Sequence, residues 1–250
     1  MQGQLLPLRP GAHHRVVITR RRQKQPRKRR GAALLIATAY RRAPPSVRIE
    51  DCEQDARDMR DALRRHGFSE QQLLLGRSAS RPEVLRSLRA RMRRAHSVDH
   101  VVLFFSGHGV QQRGSAEPDG LDEAIMCDDM LTITDDTLRQ ELARCAPTCT
   151  LLSIFDCCTS GSITDGCRLR DETQGRGVCR LAIAACRDGK TAQQRGGRGV
   201  LTQELCRRMR SGRLSVSGLH GCRLAGGQVT SLSGTSGGNR WLPPPLTEAR

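Results

Sequence analysis

Phe104-Phe105-Ser106-Gly107-His108-Gly109 and Ile154-Phe155-Asp156-Cys157-Cys158-Thr159-Ser160-Gly161 decide the reading of this chain. Each is an apolar, β-type run that stops at small residues. The first delivers a His and the second a Cys. An imidazole beside a thiol at adjacent strand ends makes a nucleophile: the ring takes the thiol proton, and the thiolate attacks a carbonyl carbon. Gly107 and Gly109 allow close backbone approach, and the N–H groups of Gly109 and Cys158 are candidates for an oxyanion hole. Taken singly, a His before Gly is more often a surface-loop residue, and one Cys among eleven more often packs in a core. Their shared position after strand-like runs gives them functional weight.

Outward from these runs the chain alternates strand and helix. Strand-like segments lie at 33–40, 71–75, 100–106, 151–157 and 179–186, rich in Leu, Ile, Val or Ala. Helical spacing covers 51–65, with Ala56, Met59 and Leu63 on one face. A second helix starts near Pro82 and carries Val84, Leu85, Leu88 and Met92. Thr134 is a candidate cap for a helix containing Leu138 and Leu142, and 200–209 gives one more helix. Such alternation predicts an α/β fold with a mostly parallel sheet covered on both faces. In sheets of that kind sites lie at the carboxyl ends of the strands, where both His108 and Cys158 fall.

Composition narrows the function classes. At 250 residues the chain suits one domain of ordinary size. Aromatics are only 2%, so Leu, Val, Ile and Ala must build the core. The net charge of +17 suggests nucleic acid, but the basic residues are spread along the chain and few rings are available for base stacking; nucleic acid is not expected as the partner. The cysteines form no C-x-x-C pair, which argues against a zinc site or a disulfide framework and fits a reducing compartment, the cytoplasm. No apolar run is long enough to span a membrane, and the first ten residues lack a signal-peptide core. Residues 1–31 hold Arg20-Arg21-Arg22 and Arg27-Lys28-Arg29-Arg30 without any acid, and read equally as a disordered solvated tail or a nuclear-import signal. Residues 210–240 read as loop with a short strand at 228–232, and the tail 241–250 carries Pro243-Pro244-Pro245.

S-G-H-G after one apolar strand and D-C-C-x-S-G-S-I-x-D after another resemble the metacaspases, a family of caspase-like cysteine peptidases. The order His then Cys, about fifty residues apart, is also that of caspases. Ala33–Tyr40 resembles the family's first strand, Cys52–Met59 its C-x-x-D-A-x-x-M helix start, Asp119–Glu123 its D-G-Y-D-E, Ile133–Asp136 its I-x-D-D, and Ala185–Ala192 its late G-C-x-D-x-Q-T-S segment. The likeness runs through residues 32–240. It implies a caspase-like three-layer sandwich whose mostly parallel central sheet is flanked by helices. It also implies a monomeric endopeptidase acting on proteins or peptides, with Cys158 as nucleophile and His108 as base.

The resemblance assigns further residues. Asp55 and Asp156, with Cys52 and Ser106 as wall positions, would form a pocket for a basic side chain. A carboxylate pair selects Arg or Lys because a buried unpaired charge is costly. Asp55 reads equally as a first-turn helix acid. Asp122, Asp135, Asp136 and Asp165 match acids that bind an activating calcium ion, an ion that prefers several hard oxygen ligands; the alternative is ordinary acids in turns and caps. No organic cofactor is expected. Three departures support a second reading, a catalytically impaired paralogue acting as a regulator or scaffold. Thr159 replaces the usual His, Phe104-Phe105 stands where H-Y is common, and the segment after Asp165 is short.

Overall fold

The computed structural model describes residues 30–114, 121–158, 180–185, 194–195, 198–214, 219, 222–225 and 229–235. In chain order the main elements are β1 (Gly31–Ala37), α1 (Cys52–Arg64), β2 (Phe68–Leu75), α2 (Arg81–Arg94), β3 (His100–Ser106), β4 (Gly109–Arg113), β5 (Leu121–Met126), β6 (Thr132–Thr134), α3 (Asp135–Leu142), β7 (Thr150–Asp156), β8 (Arg180–Ala184), β9 (Gln194–Arg195), β10 (Arg198–Gly199), α4 (Val200–Arg210) and β11 (Ser231–Thr235). One six-stranded sheet has the order β11-β8-β7-β3-β1-β2. Its five strands from β8 to β2 are parallel, and β11 closes the β8 edge antiparallel.

The strands at the centre are apolar on both faces, and their period of two sorts residues between two cores. Ala32, Leu34 and Ile36 of β1, Val101, Leu103 and Phe105 of β3, and Leu151 and Phe155 of β7 pack with Val84, Leu88 and Met92 of α2 and Leu138 and Leu142 of α3. The intervening Ala33, Leu35, Val102, Phe104, Leu152 and Ile154 pack with Met59 and Leu63 of α1 and Leu201, Leu205 and Met209 of α4. The result is the three-layer sandwich that the sequence implied, with Phe104 and Phe105 anchoring opposite cores. Thr134 caps α3 as expected, its hydroxyl accepting the Thr137 N–H at 3.3 Å, and Pro82 lies in the first turn of α2.

A second small sheet, β4-β5-β6, is antiparallel and lies between β3 and α3. It has no counterpart in the sequence reading. The short strand expected at 228–232 falls at Ser231–Thr235, preceded by a bridge between Arg223 and Val229. Residues 1–29 and the tail 241–250 lie outside the described residues. No helix among the described residues is long and apolar enough to cross a membrane.

Candidate active site

β3 and β7 are neighbours in register, with Ser106 opposite Asp156. His108 and Cys158 each lie two residues beyond that last pair, so both follow the same edge of adjacent parallel strands. The alternation along β7 also separates the two vicinal thiols. Cys157 continues the side of Leu151 and Phe155 and is only 1% exposed in the core against α2 and α3. Cys158 comes one residue later and is partly exposed.

His108 is fixed from four directions. Its Nε2 lies 2.7 Å from the Val47 carbonyl, at the end of the 3-10 turn Pro45–Val47. A carbonyl only accepts, so Nε2 carries the proton and Nδ1 is left with its lone pair free to act as a base. The His108 N–H donates to the Tyr40 hydroxyl at 2.9 Å. Its carbonyl accepts from the Met126 N–H at 3.0 Å, which ties it to β5. The Tyr40 ring stacks on the imidazole, with centroids 4.9 Å apart and planes at 25°. Gly107 makes this approach possible: a Cβ there would meet Thr38 Oγ1 at 2.1 Å and the Tyr40 hydroxyl at 3.0 Å. Gly109 opens β4 directly after His108.

The carboxylates assigned to substrate lie on the α1–α4 side of the sheet. Asp55 sits on the buried face of α1, which repeats at Cys52, Asp55, Ala56, Met59, Ala62 and Leu63. Its Oδ2 accepts from the Gly199 N–H at 2.9 Å and the Ser106 hydroxyl at 3.4 Å. Asp156 Oδ2 accepts both the Thr202 N–H, at 2.9 Å, and its hydroxyl, at 2.6 Å. The other oxygen of each acid is buried without a hydrogen bond among the described residues. Burial pushes Asp55 up to about 7, the Asp156 charge adding to it, against the pull of the Gly199 N–H and Arg198. Burial likewise raises Asp156, against its bonds to Thr202. Cys52 donates to the Thr38 carbonyl at 3.1 Å, and burial followed by the neighbouring Asp55 and Glu53 charges pushes its thiol up to about 12, which keeps it unreactive.

Several residues here escaped the sequence reading. Arg198 Nε lies 3.6 Å from Asp55 Oδ1, and its guanidinium also pairs with Asp58. Thr202 and Gly199 hold the two acids to the start of α4. These contacts join segments far apart in sequence and leave no local pattern. The Val47 contact uses a backbone atom, which no residue type announces. Tyr40 did carry a signal: it is the chain's single tyrosine, at the carboxyl end of β1.

The acids assigned to calcium are only partly gathered. Asp122 lies two residues before Ala124, and Asp135 and Asp136 directly follow Thr134, its partner across the β5–β6 ladder. Asp135 accepts the Asp136 N–H at 2.7 Å, while Asp136 pairs with Arg139. Among the described residues no three His, Cys, Asp or Glu side chains are grouped so as to hold an ion. Asp165 and Thr159 lie outside the described residues.

This architecture defines a caspase-like fold. The structure aligns with that of caspase-1 from Spodoptera frugiperda at a TM-score of 0.61, with 13% identity over 89% of this chain and 93% of the other. It aligns with a structural-genomics protein from Geobacter sulfurreducens at 0.62, with 24% identity, 82% and 94% covered. The sequence profile described as metacaspase, peptidase C14 domain, matches residues 30–167, and the chain belongs to the metacaspase family of cysteine peptidases. Metacaspase-4 of Arabidopsis thaliana is 33% identical over 128 residues, and metacaspase-6 of the same plant 32%. The match takes in 47% of this chain and 31% and 35% of those proteins, so the chain spans about a third of the relatives it matches.

Proposed function

We propose that this protein is a cysteine endopeptidase cleaving peptide bonds after Arg or Lys through Cys158 and His108. The observation that carries the reading is the common edge: two in-register strands end in a partly exposed thiol and in an imidazole whose Nε2 is engaged by Val47. In this reading Nδ1 accepts the Cys158 proton, and the thiolate adds to the scissile carbonyl. The N–H groups of Gly109 and Cys158 receive the developing oxyanion. The imidazolium then returns its proton to the leaving amine, and water completes the hydrolysis. Basic specificity is supported by Asp55 and Asp156, whose buried, unbonded oxygens are acceptors that a guanidinium or ammonium group would satisfy. Cys52 and Ser106 would flank them.

Hydrolysis of an Arg-terminated peptide reporter by the intact protein tests this. Cys158→Ala and His108→Ala are each expected to abolish turnover, as members of one catalytic unit, while Cys157→Ala retains most of it. Activity in Cys158→Ala, or cleavage after Asp, refutes the corresponding part. Calcium activation through Asp122, Asp135, Asp136 and Asp165 belongs to the same proposal. Asp136 would first have to release Arg139, and full activity in chelator would rule this part out.

One observation favours the second reading, an impaired paralogue. Arg198 already sits beside Asp55 and partly neutralises the charge a substrate would seek. A reporter left intact by wild type but cleaved by Arg198→Ala would mean a site that is complete and blocked by its own arginine.

A further inference from the structure

We propose that Tyr40 is a positioning residue for the His108 imidazole, holding the ring in the tautomer and orientation that a base requires. The proposal rests on the reading of His108 as that base. Tyr40 is fully buried, and its hydroxyl is saturated. It accepts from Thr38 Oγ1 at 2.7 Å and from the His108 N–H at 2.9 Å, and it donates to the Met126 carbonyl at 2.7 Å. Met126 in turn donates its N–H to the His108 carbonyl. One phenol therefore joins the end of β1 to the backbone of His108 and to β5. The same ring covers one face of the imidazole, so it restricts rotation about the bond that carries the ring. A protonated imidazole against this aromatic face is also favoured electrostatically, which suits the moment when Cys158 has given up its proton.

Tyr40 is itself held against its backbone preference. Its φ is 52°, a left-handed conformation rare for a bulky residue, and its N–H is anchored on Asp128 Oδ1 at 3.0 Å. Asp128 sits in the β5–β6 turn, where its N–H donates to the Ala79 carbonyl before α2. Three separate segments thus hold a strained residue in place, and its side chain ends on the catalytic candidate. Strain maintained in this way points to a demand beyond filling the core, which a Leu or Phe in relaxed backbone would meet.

Two variants of the full chain test this. Tyr40→Phe keeps the ring and removes the hydroxyl; Tyr40→Leu removes both. The ¹⁵N chemical shifts of the His108 ring report which nitrogen carries the proton, with or without turnover. Wild type is expected to give the Nε2–H pattern, Tyr40→Leu an average of both tautomers, and Tyr40→Phe a pattern between them. On the Arg reporter, Tyr40→Phe is expected to lower kcat on the order of 10- to 100-fold with KM within about twofold, as for a misoriented base. Ring shifts identical to wild type in Tyr40→Phe overturn the proposal, as does a raised KM at unchanged kcat. If Tyr40→Leu does not fold, the isosteric Tyr40→Phe decides alone. Absence of peptidase activity from both wild type and Arg198→Ala would refute the Cys–His reading instead, and the ring shifts would still settle the part played by Tyr40.

Discussion

At the scale of single residues, Asp55 sets burial against charge. Its ordinary value is 3.8, and in the fold it is pushed up to about 7. From about pH 4 to about 7 the folded protein therefore keeps a proton that the unfolded chain has released, and stability falls as pH rises through that window. Asp55→Asn removes the titration while leaving an oxygen for the Gly199 N–H. Urea midpoints across this range are expected to fall with pH in wild type and to fall less steeply in Asp55→Asn, where Asp156, also raised by burial, still titrates; parallel curves would contradict the shift. The same carboxylate must be ionised to receive a basic side chain. On an Arg reporter, KM is accordingly expected to rise as pH drops below about 7, and a KM constant down to about pH 5 would place the substrate's cation elsewhere. Cys157 and Cys158 show how far residue-level reading reaches. The strand period sorts Cys157 to the α2–α3 side, but both faces of β7 are buried, so Cys158 is partly exposed because it lies past the strand's end. By contrast, the carboxylate partners Gly199 and Thr202 lie some 144 and 46 residues away from Asp55 and Asp156 respectively, and only the folded chain reveals them.

At the scale of elements, the junction of β10 and α4 is packed against the two acids proposed to receive the substrate's basic side chain. A Cβ on Gly199 would meet Asp156 Oδ2 at 2.0 Å, and that oxygen is held by Thr202. Gly199→Ala must displace a buried carboxylate or the start of α4. The expected cost is ~1–3 kcal/mol by denaturant unfolding, with reporter KM raised because Asp55 and Asp156 shift together. A variant as stable as wild type would show the junction to be plastic. Phe105→Ala, in the core beneath α2 and α3, is expected to cost ~3–5 kcal/mol with little effect on KM. Among the described residues, β1, β3, β7, β8 and the four helices were legible because the centre of the sheet is covered on both faces, which leaves unbroken apolar runs between clear helical stripes; β2 showed only in its second half, since Ser69-Glu70-Gln71-Gln72 breaks its run. β4, β5 and β6 were not legible. Gly109–Arg113 and Leu121–Met126 are half-exposed antiparallel strands with mixed polarity, and Thr132–Thr134 is too short to show a period. This sheet nevertheless fixes the His108 carbonyl and carries Asp122, so the least legible element is the one that shapes the candidate base and the calcium proposal.

At the scale of the whole molecule, the order of strands was beyond the sequence, since every central strand reads alike and only tertiary contacts place β1 between β2 and β3. The charge, however, is readable outright and predicts bulk behaviour. With 42 Lys and Arg against 25 Asp and Glu, self-repulsion opposes compaction. Exposed pairs such as Arg86 with Glu83 and Arg207 with Glu204 act in the opposite sense, but solvated pairs of this kind contribute little. Salt weakens both effects as the Debye length shrinks, reaching about 10 Å near 0.1 M. The long-range repulsion among many like charges should lose more than the few short-range pairs do. Raising sodium chloride from about 0.05 to about 0.3 M is therefore expected to increase Tm, and sodium sulfate at equal ionic strength to increase it further through its exclusion from the protein surface. A Tm that falls with sodium chloride would mean that the ion pairs outweigh the mutual repulsion of the net charge.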